Sequence, residues 1–391
     1  MKIIENKQIA IVGGGPGGLT LARLLQLKGV NVKLYERDLN KNSRVIGSPL
    51  DMHEESGLAA IRAANLLEAF KKNYRPGADR MVIANEHAEI VYSDHDSKPE
   101  EDFGNEHFRP EIDRQALRNL FLDVLQTETV VWDSHFISME KQNDGWLLKF
   151  KNGTTAYADL VIAADGVNSK IRPYLTDIKA FYSGITMLEG NVKGAKDNAP
   201  IIAKLLNGGK IMAFGNEKNL LLGQKENEEI GFYASFKTDE NWASNSGLNF
   251  KDNIEILNWF KTKYPEWNSI WYELFENTTA PFIPRPIYCM PTDQTWKTIS
   301  NLTLLGDAAH AMPPFAGEGA NMAMLDALEL SENLCSDKYV TLYEAISTYE
   351  INMRHRTAVI AQESLQNGEL MHAVDALQNM IKMFTIDFKQ D

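Results

Sequence analysis

The chain has 391 residues, 44% of them hydrophobic and 24% charged, an ordinary globular composition that excludes a disordered tail, a collagen-like repeat and a disulfide-stapled miniprotein. Forty Lys and Arg stand against 53 Asp and Glu, a formal charge of −13, which argues against nucleic acid or an anionic membrane as partner. The two cysteines, Cys289 and Cys335, form no paired motif, so a reducing compartment fits and thiolate metal sites do not.

Residues 8–12 form a short apolar run that reads as a buried parallel strand. Gly13-Gly14-Gly15-Pro16-Gly17-Gly18 follows, and Leu19, Leu21, Ala22, Leu24 and Leu25 then recur at helical spacing up to Gly29. A strand over 30–35 ends at Glu36 and completes a β-α-β unit. An amphipathic helix is expected over 113–125, a strand over 129–132, a hairpin turning at Asn152-Gly153, and a buried strand over 160–164. From about 180 to 237 the texture changes. Pieces at 185–192, 201–206, 211–214, 220–223 and 230–236, separated by Gly and Asn, predict an antiparallel sheet inserted into the α/β frame. A helix over 252–264, a buried strand over 302–305 and helices over 320–334 and about 343–373 complete the chain. No apolar run reaches the roughly 18 residues needed to span a bilayer, and no signal-peptide pattern opens the chain. The expectation is a soluble, cytoplasmic protein.

Three motifs carry chemistry. Gly13-x-Gly15-x-x-Gly18 follows a strand and opens a helix, where bare backbone lets a pyrophosphate approach and the helix end offers N–H groups. Glu36, about 20 residues on, suits a ribose hydroxyl pair. Arg37 and Arg44 read equally well as solvated surface or as nucleotide contacts. Asp165-Gly166 follows the second buried strand. Gly306-Asp307-Ala308-Ala309-His310 follows a third and runs into Pro313-Pro314-x-x-Gly317-x-Gly319-Ala320-Asn321. There Asp307 suits the hydroxyls of a ribityl chain, and the small residues let backbone approach a flat ring. The helix starting near Ala320 would aim its positive end at that ring.

These motifs, in this order, resemble the single-component FAD aromatic hydroxylases of the para-hydroxybenzoate hydroxylase type, over nearly the whole chain. Tyr35-Glu36-Arg37-Asp38, Pro49-Leu50-Asp51-Met52-His53, Ile112-Asp113-Arg114-x-x-Leu117 and Gln362-Glu363-Ser364-x-Gln366-Asn367 make the chain similar to the tetracycline-inactivating FAD monooxygenases, the TetX-like group. The resemblance implies an α/β fold with a three-layer, Rossmann-like FAD-binding domain of the GR2 type, an inserted antiparallel-sheet substrate domain and a long C-terminal helix. The implied boundaries are 1–72, 106–177 and 296–336 for the FAD-binding domain, 73–105 and 178–295 for the substrate domain, and 337–391 for the bridging helix. It implies an FAD- and NADPH-dependent monooxygenase that uses molecular oxygen, through a C4a-hydroperoxyflavin, to hydroxylate and so inactivate a tetracycline or related polycyclic phenol. It further implies a monomer.

By the same resemblance, Gly13, Gly15, Gly18, Glu36, Arg37, Asp51, Arg114, Leu117, Asp165, Asp307, Pro314, Gly317, Gly319, Ala320 and Asn321 contact FAD, and Arg44 lies where NADPH acts. Phe315, Asn367 and Met371 face the substrate, with Glu189, Lys210 and Phe232 on the inserted sheet. Glu318 stands where the family has Gln. Glu189, Lys210 and Gly231 stand where the tetracycline enzymes have Gln, Arg and His. A carboxylate at 189 would then repel an anionic ligand. Two other readings stay open: a hydroxylase of another aromatic substrate, and a flavoprotein that sequesters ligand without turnover. His53, His107, His310 and His355 have no metal-like spacing, so no metal is expected. Ser169 lacks a nucleophile elbow.

Overall fold

The computed structural model describes residues 3–43, 48–96, 102–105, 107–279 and 281–386. At its centre is a five-stranded parallel sheet in the order Leu302–Leu304, Leu160–Ala163, Ile9–Val12, Val32–Tyr35, Val130–Val131. Ile9–Val12 and Leu160–Ala163 are buried at every position, because both faces of the sheet are covered. On one side lie helices α1 (Pro16–Leu27) and α2 (Gly319–Cys335). On the other lies a three-stranded antiparallel sheet of Phe136–Gln142, Gly145–Phe150 and Thr155–Ala158, with Tyr35 stacked on Phe150 across the layers at 4.8 Å. This is the expected three-layer α/β unit.

The inserted sheet has seven strands, in the order Ile283–Cys289, Phe181–Val192, Ile230–Lys237, Lys218–Gln224, Lys210–Gly215, Met81–Asn85, Ile90–Ser93. All neighbours are antiparallel except Lys210–Gly215 with Met81–Asn85, which run parallel. One face carries Leu188, Ile211, Leu220, Phe232 and Phe236 into an apolar layer with Ile256, Phe260 and Phe275. The opposite face, which we call inner, carries Ile83 and Phe214 against Met371 and Met380.

One expected strand is a helix. Residues 201–206 belong to the helix Pro200–Leu206, where proline at the first position leaves no orphan N–H and Ile202 and Leu206, one turn apart, are buried. The long helix α3 (Leu342–Met371) begins with a capping box: Thr341 Oγ1 accepts from the Glu344 N–H, and the Glu344 carboxylate accepts from the Thr341 N–H. Gly368 lies inside it because a Cβ there would sit 2.8 Å from the Phe315 ring. A further helix, α4 (Ala376–Ile386), returns along the inner face. Among the described residues no helix is long and apolar enough to cross a membrane, and no cluster of side chains could hold a metal ion.

Candidate cofactor and substrate site

The glycine loop separates two kinds of requirement. Gly13 has φ +113°, and a Cβ there would lie 2.1 Å from the Ala164 carbonyl oxygen; one at Gly18 would lie 2.0 Å from the Gly13 oxygen. Those two glycines are demanded by the fold. Gly15, by contrast, caps the N-terminus of α1 with no side-chain hydrogen bond, and nothing lies within 4 Å of where its Cβ would be. The first turn of α1 contains no acidic residue, so no carboxylate of its own neutralises the positive end of the helix, as an incoming diphosphate requires. Glu36, 2% exposed, accepts from the Gly14 N–H at 2.5 Å and the Asp38 N–H at 3.0 Å. It holds the loop from inside. Arg37 is exposed, and Arg44 lies outside the described residues.

Asp307 starts a short helical turn behind Gly306, whose φ is +58°. Two buried networks fix that turn. Asp326 accepts from the Gly306 N–H at 2.8 Å, meets His310 Nε2 at 2.5 Å and is paired to Arg356 at 2.7 Å. Arg172 donates to the Ala308 and Ala309 carbonyls at 2.9 and 2.8 Å and to Gln294. The Asp307 carboxylate itself opens to solvent on one side. Protein on its other sides raises its pKa by burial, against the pull of His310 and Arg114. Asp165 accepts from the Lys170 N–H at 2.9 Å, while its Oδ1 is buried without a partner and burial raises its pKa. A bare helix terminus, an open carboxylate and an orphaned carboxylate oxygen suit a dinucleotide with phosphates and hydroxyls, so these residues fit FAD.

The segment before α2 is tied down from several sides. Ser364 Oγ donates to the Pro313 carbonyl at 2.5 Å, and Asn367 Nδ2 to that of Phe315 at 3.2 Å. Pro314 opens a single tight turn, ended by Gly317 at φ +72°. The Asn321 amide, fully buried, accepts from the His53 N–H at 3.0 Å and donates to the Asp51 carbonyl at 2.9 Å. Gly319 and Ala320 open α2 beside it, with Glu318 as N-cap. Arg114 Nε reaches the Ser48 carbonyl at 2.9 Å, whereas Leu117 lies in the core, 1% exposed.

The substrate residues are only partly brought together. Glu189 pairs across strands with Tyr233, so both lie on the inner face. Register places Lys210 there too, opposite Gly223. Glu189 is ion-paired to Arg285, and Lys210 to the buried Glu111. Glu189 is therefore not a bare repelling charge, and that expectation is corrected. Phe232 is also corrected: one residue out of phase with Tyr233, it packs at the opposite face against Phe275 and Phe282. Gly231 is not empty, because a Cβ there would meet the Lys225 side chain at 3.1 Å. Lys225 donates to Asn191 at 3.0 Å. Met371 is buried with Phe214 and Ile83. A cavity of about 590 Å³ lies between α3 and the start of Phe181–Val192, walled by Tyr182, Ile185, Pro313, Phe315 and Gln366. Of the predicted substrate residues it takes in Phe315 alone.

Sequence reasoning missed Arg172, Asp326 and Arg356, which position Asp307, and His372, which accepts from Ser235 Oγ at 2.8 Å. It placed His53 within the motif Pro49-Leu50-Asp51-Met52-His53 and among the scattered histidines, but assigned it no partner or role. For Asp326, at helical spacing from the Asn321 motif, a signal was present; for the others the partners are too distant in sequence.

The FAD binding domain family matches residues 6–206 and 295–362, well over half of the chain. The chain is similar to the monooxygenase asqM of Emericella nidulans, 27% identical over 87% of this chain and 86% of that one. It is also similar to the 3-amino-4-hydroxybenzoate 2-monooxygenase PtnB3 of Streptomyces platensis, 25% identical over 96% and 91%. The crystal structure of the tetracycline destructase Tet(55) superposes with a TM-score of 0.74 over 96% of this chain and 92% of that one, at 18% identity. With the glycine loop, Asp165 and Asp307 in place, the chain belongs to the FAD-binding monooxygenases of the aromatic-hydroxylase type.

Proposed function

We propose that this chain is an NADPH-dependent monooxygenase that hydroxylates a polycyclic phenol, with a tetracycline as its first candidate and antibiotic inactivation as the consequence. The observation that carries the substrate reading is the Phe315 cavity. Its size falls within the roughly 300–1,000 Å³ of small-molecule sites, its walls are largely aromatic and aliphatic, and it adjoins the segment before α2. FAD, once bound and reduced, supplies the activation of molecular oxygen. The chain's own part is to hold the dinucleotide through Gly15, Asp165 and Asp307, to keep water from the ring end of the cleft, and to orient the phenol. The remaining contacts inferred from resemblance, Gly317, Gly319, Ala320 and Arg44 for nucleotides and Asn367 and Met371 for substrate, belong to the same proposal. So do the division at 1–72, 106–177 and 296–336 against 73–105 and 178–295, with 337–391 bridging, a monomeric state and a cytoplasmic location.

A smaller aromatic acid is the second reading. The name of the Streptomyces relative and the neutralisation of Glu189 by Arg285 favour it, since the inner face then tolerates an anionic ring substituent. The test is NADPH oxidation by the FAD-loaded protein with a tetracycline panel and with hydroxybenzoates, followed at the tetracycline chromophore and by mass. Stimulation with loss of the chromophore supports the first reading. Stimulation by hydroxybenzoates alone supports the second. Binding of either without NADPH oxidation overturns both and leaves a sequestering flavoprotein.

A further inference from the structure

One imidazole joins Leu50–Asp51 to the start of α2. His53 Nδ1 lies 2.7 Å from Glu318 Oε1, and Nε2 lies 3.0 Å from Asp51 Oδ2. The residue is 8% exposed, so water does not replace either partner. A neutral imidazole has one N–H and one lone pair. It could donate to one carboxylate and would turn its lone pair on the other. With both carboxylates ionised, only the imidazolium satisfies both contacts. The backbone reinforces the junction through Asn321, which binds the His53 N–H and the Asp51 carbonyl. Gly317 lies against Asp51, its would-be Cβ 3.5 Å from Oδ2.

The charges around the ring are these. Asp51 faces it from the strand Leu50–Asp51, and Glu318 from the N-cap of α2. Behind Asp51 stand Lys210 of the inserted sheet and Glu111, with Asp79 beyond. Burial pulls His53 down, but the two carboxylates override it and hold its pKa at about 9. Burial likewise pushes Asp51 up, and the bond from His53 with the charge of Lys210 brings it below the usual carboxylate range. Glu318 Oε2 is buried without a partner, so the carboxylate is held through the contact of Oε1 with His53. A Gln at 318 would offer a similar acceptor without the charge.

We propose that His53 is a positioning residue: as an imidazolium clasped between Asp51 and Glu318 it locks residues 313–319 against Leu50–Asp51 and thereby sets how tightly the chain retains FAD. Glu318 makes that clasp proton-dependent. The test is release of FAD from purified holoenzyme, read as free-flavin fluorescence, across neutral to alkaline pH. Wild-type retention is expected to weaken roughly tenfold, the scale of one charge-assisted hydrogen bond, as pH rises through about 9. Glu318→Gln should move the midpoint to lower pH. His53→Gln should weaken retention at neutral pH and flatten the profile. Nitrogen-15 spectra of histidine-labelled wild-type holoenzyme at neutral pH read the clasp without any substitution, and both His53 nitrogens should be protonated. A neutral His53 signal, or an unchanged wild-type pH profile in Glu318→Gln, overturns the proposal. None of these readouts depends on which substrate is hydroxylated.

Discussion

The glycine loop at 13–18 and the inner face of the seven-stranded sheet obey different rules. In the loop, function follows from what backbone can fit: a Cβ at Gly13 or Gly18 would lie within about 2.1 Å of a carbonyl oxygen, and Gly15 faces open space. On the inner face, nearly every polar side chain is defined by a partner far away in sequence. Glu189 is neutralised by Arg285, 96 residues on, and Lys210 by Glu111. Backbone constraints are local and tolerate little change. Side-chain partnerships are long-range, and each can be rewired by a single substitution.

That contrast can be broken most severely at Gly13. Gly13→Ala, strained at φ +113° and 2.1 Å from the Ala164 oxygen, is expected to cost more than about 4 kcal/mol. It should leave little folded, flavin-bearing protein by absorbance and thermal melting. Gly15→Ala, in open space, should melt like wild type while binding FAD more weakly. If both variants lose only FAD, the division of roles within the loop fails.

The second effect belongs to the sheet. His372 is fully buried, accepting from Ser235 Oγ and donating to the Gly368 carbonyl, and burial lowers its pKa to about 4. The unfolded ring titrates near 6.5, so the unfolded chain takes up a proton first. Stability is full above about 6.5 and is lost as pH falls toward 4, by up to about 3 kcal/mol at the acid end. Urea midpoints measured over that window should show this slope, and His372→Gln should reduce it. An identical slope in the variant would assign the acid sensitivity elsewhere.

Asp307→Ala tests the cleft again, at a side chain rather than a glycine. The carboxylate is open on one side and its turn is held by Asp326 and Arg172, so the fold should survive. FAD affinity should fall by about 1.5–3 kcal/mol, the scale of hydrogen bonds to a charged acceptor, as read by titration of the apoprotein. Arg285→Ala is expected to be smaller. It leaves Glu189 unpaired, but Arg285 is 41% exposed, so solvent screening reduces the buried-pair penalty to about 1–2 kcal/mol. Adding Glu189→Gln should recover most of the urea midpoint. No recovery would mean that Arg285 acts through packing.

The legible part of the molecule is the part whose demands are local. The β-α-β unit, the strands before Asp165 and Asp307 and the two long C-terminal helices were readable because apolar runs, glycines and helical spacing lie within a few residues of one another. The helix Pro200–Leu206 was misread as a strand because six residues of mixed pattern satisfy either period. Phe232 was placed at the site because a face depends on register, and a shift of one residue reverses every side chain. The clasp between His53 and Glu318 and the Arg172 support of the Asp307 turn join segments 265 and 136 residues apart, which no spacing rule reaches.

The most direct test of the central claim is isotopic. FAD-loaded protein, NADPH and a tetracycline or hydroxybenzoate are incubated under oxygen-18 gas, and the product is weighed. The account predicts one labelled oxygen atom in the organic product, with NADPH consumed only in the presence of the substrate that is labelled. NADPH oxidised to yield peroxide alone, with no label in any phenol tested, would contradict it.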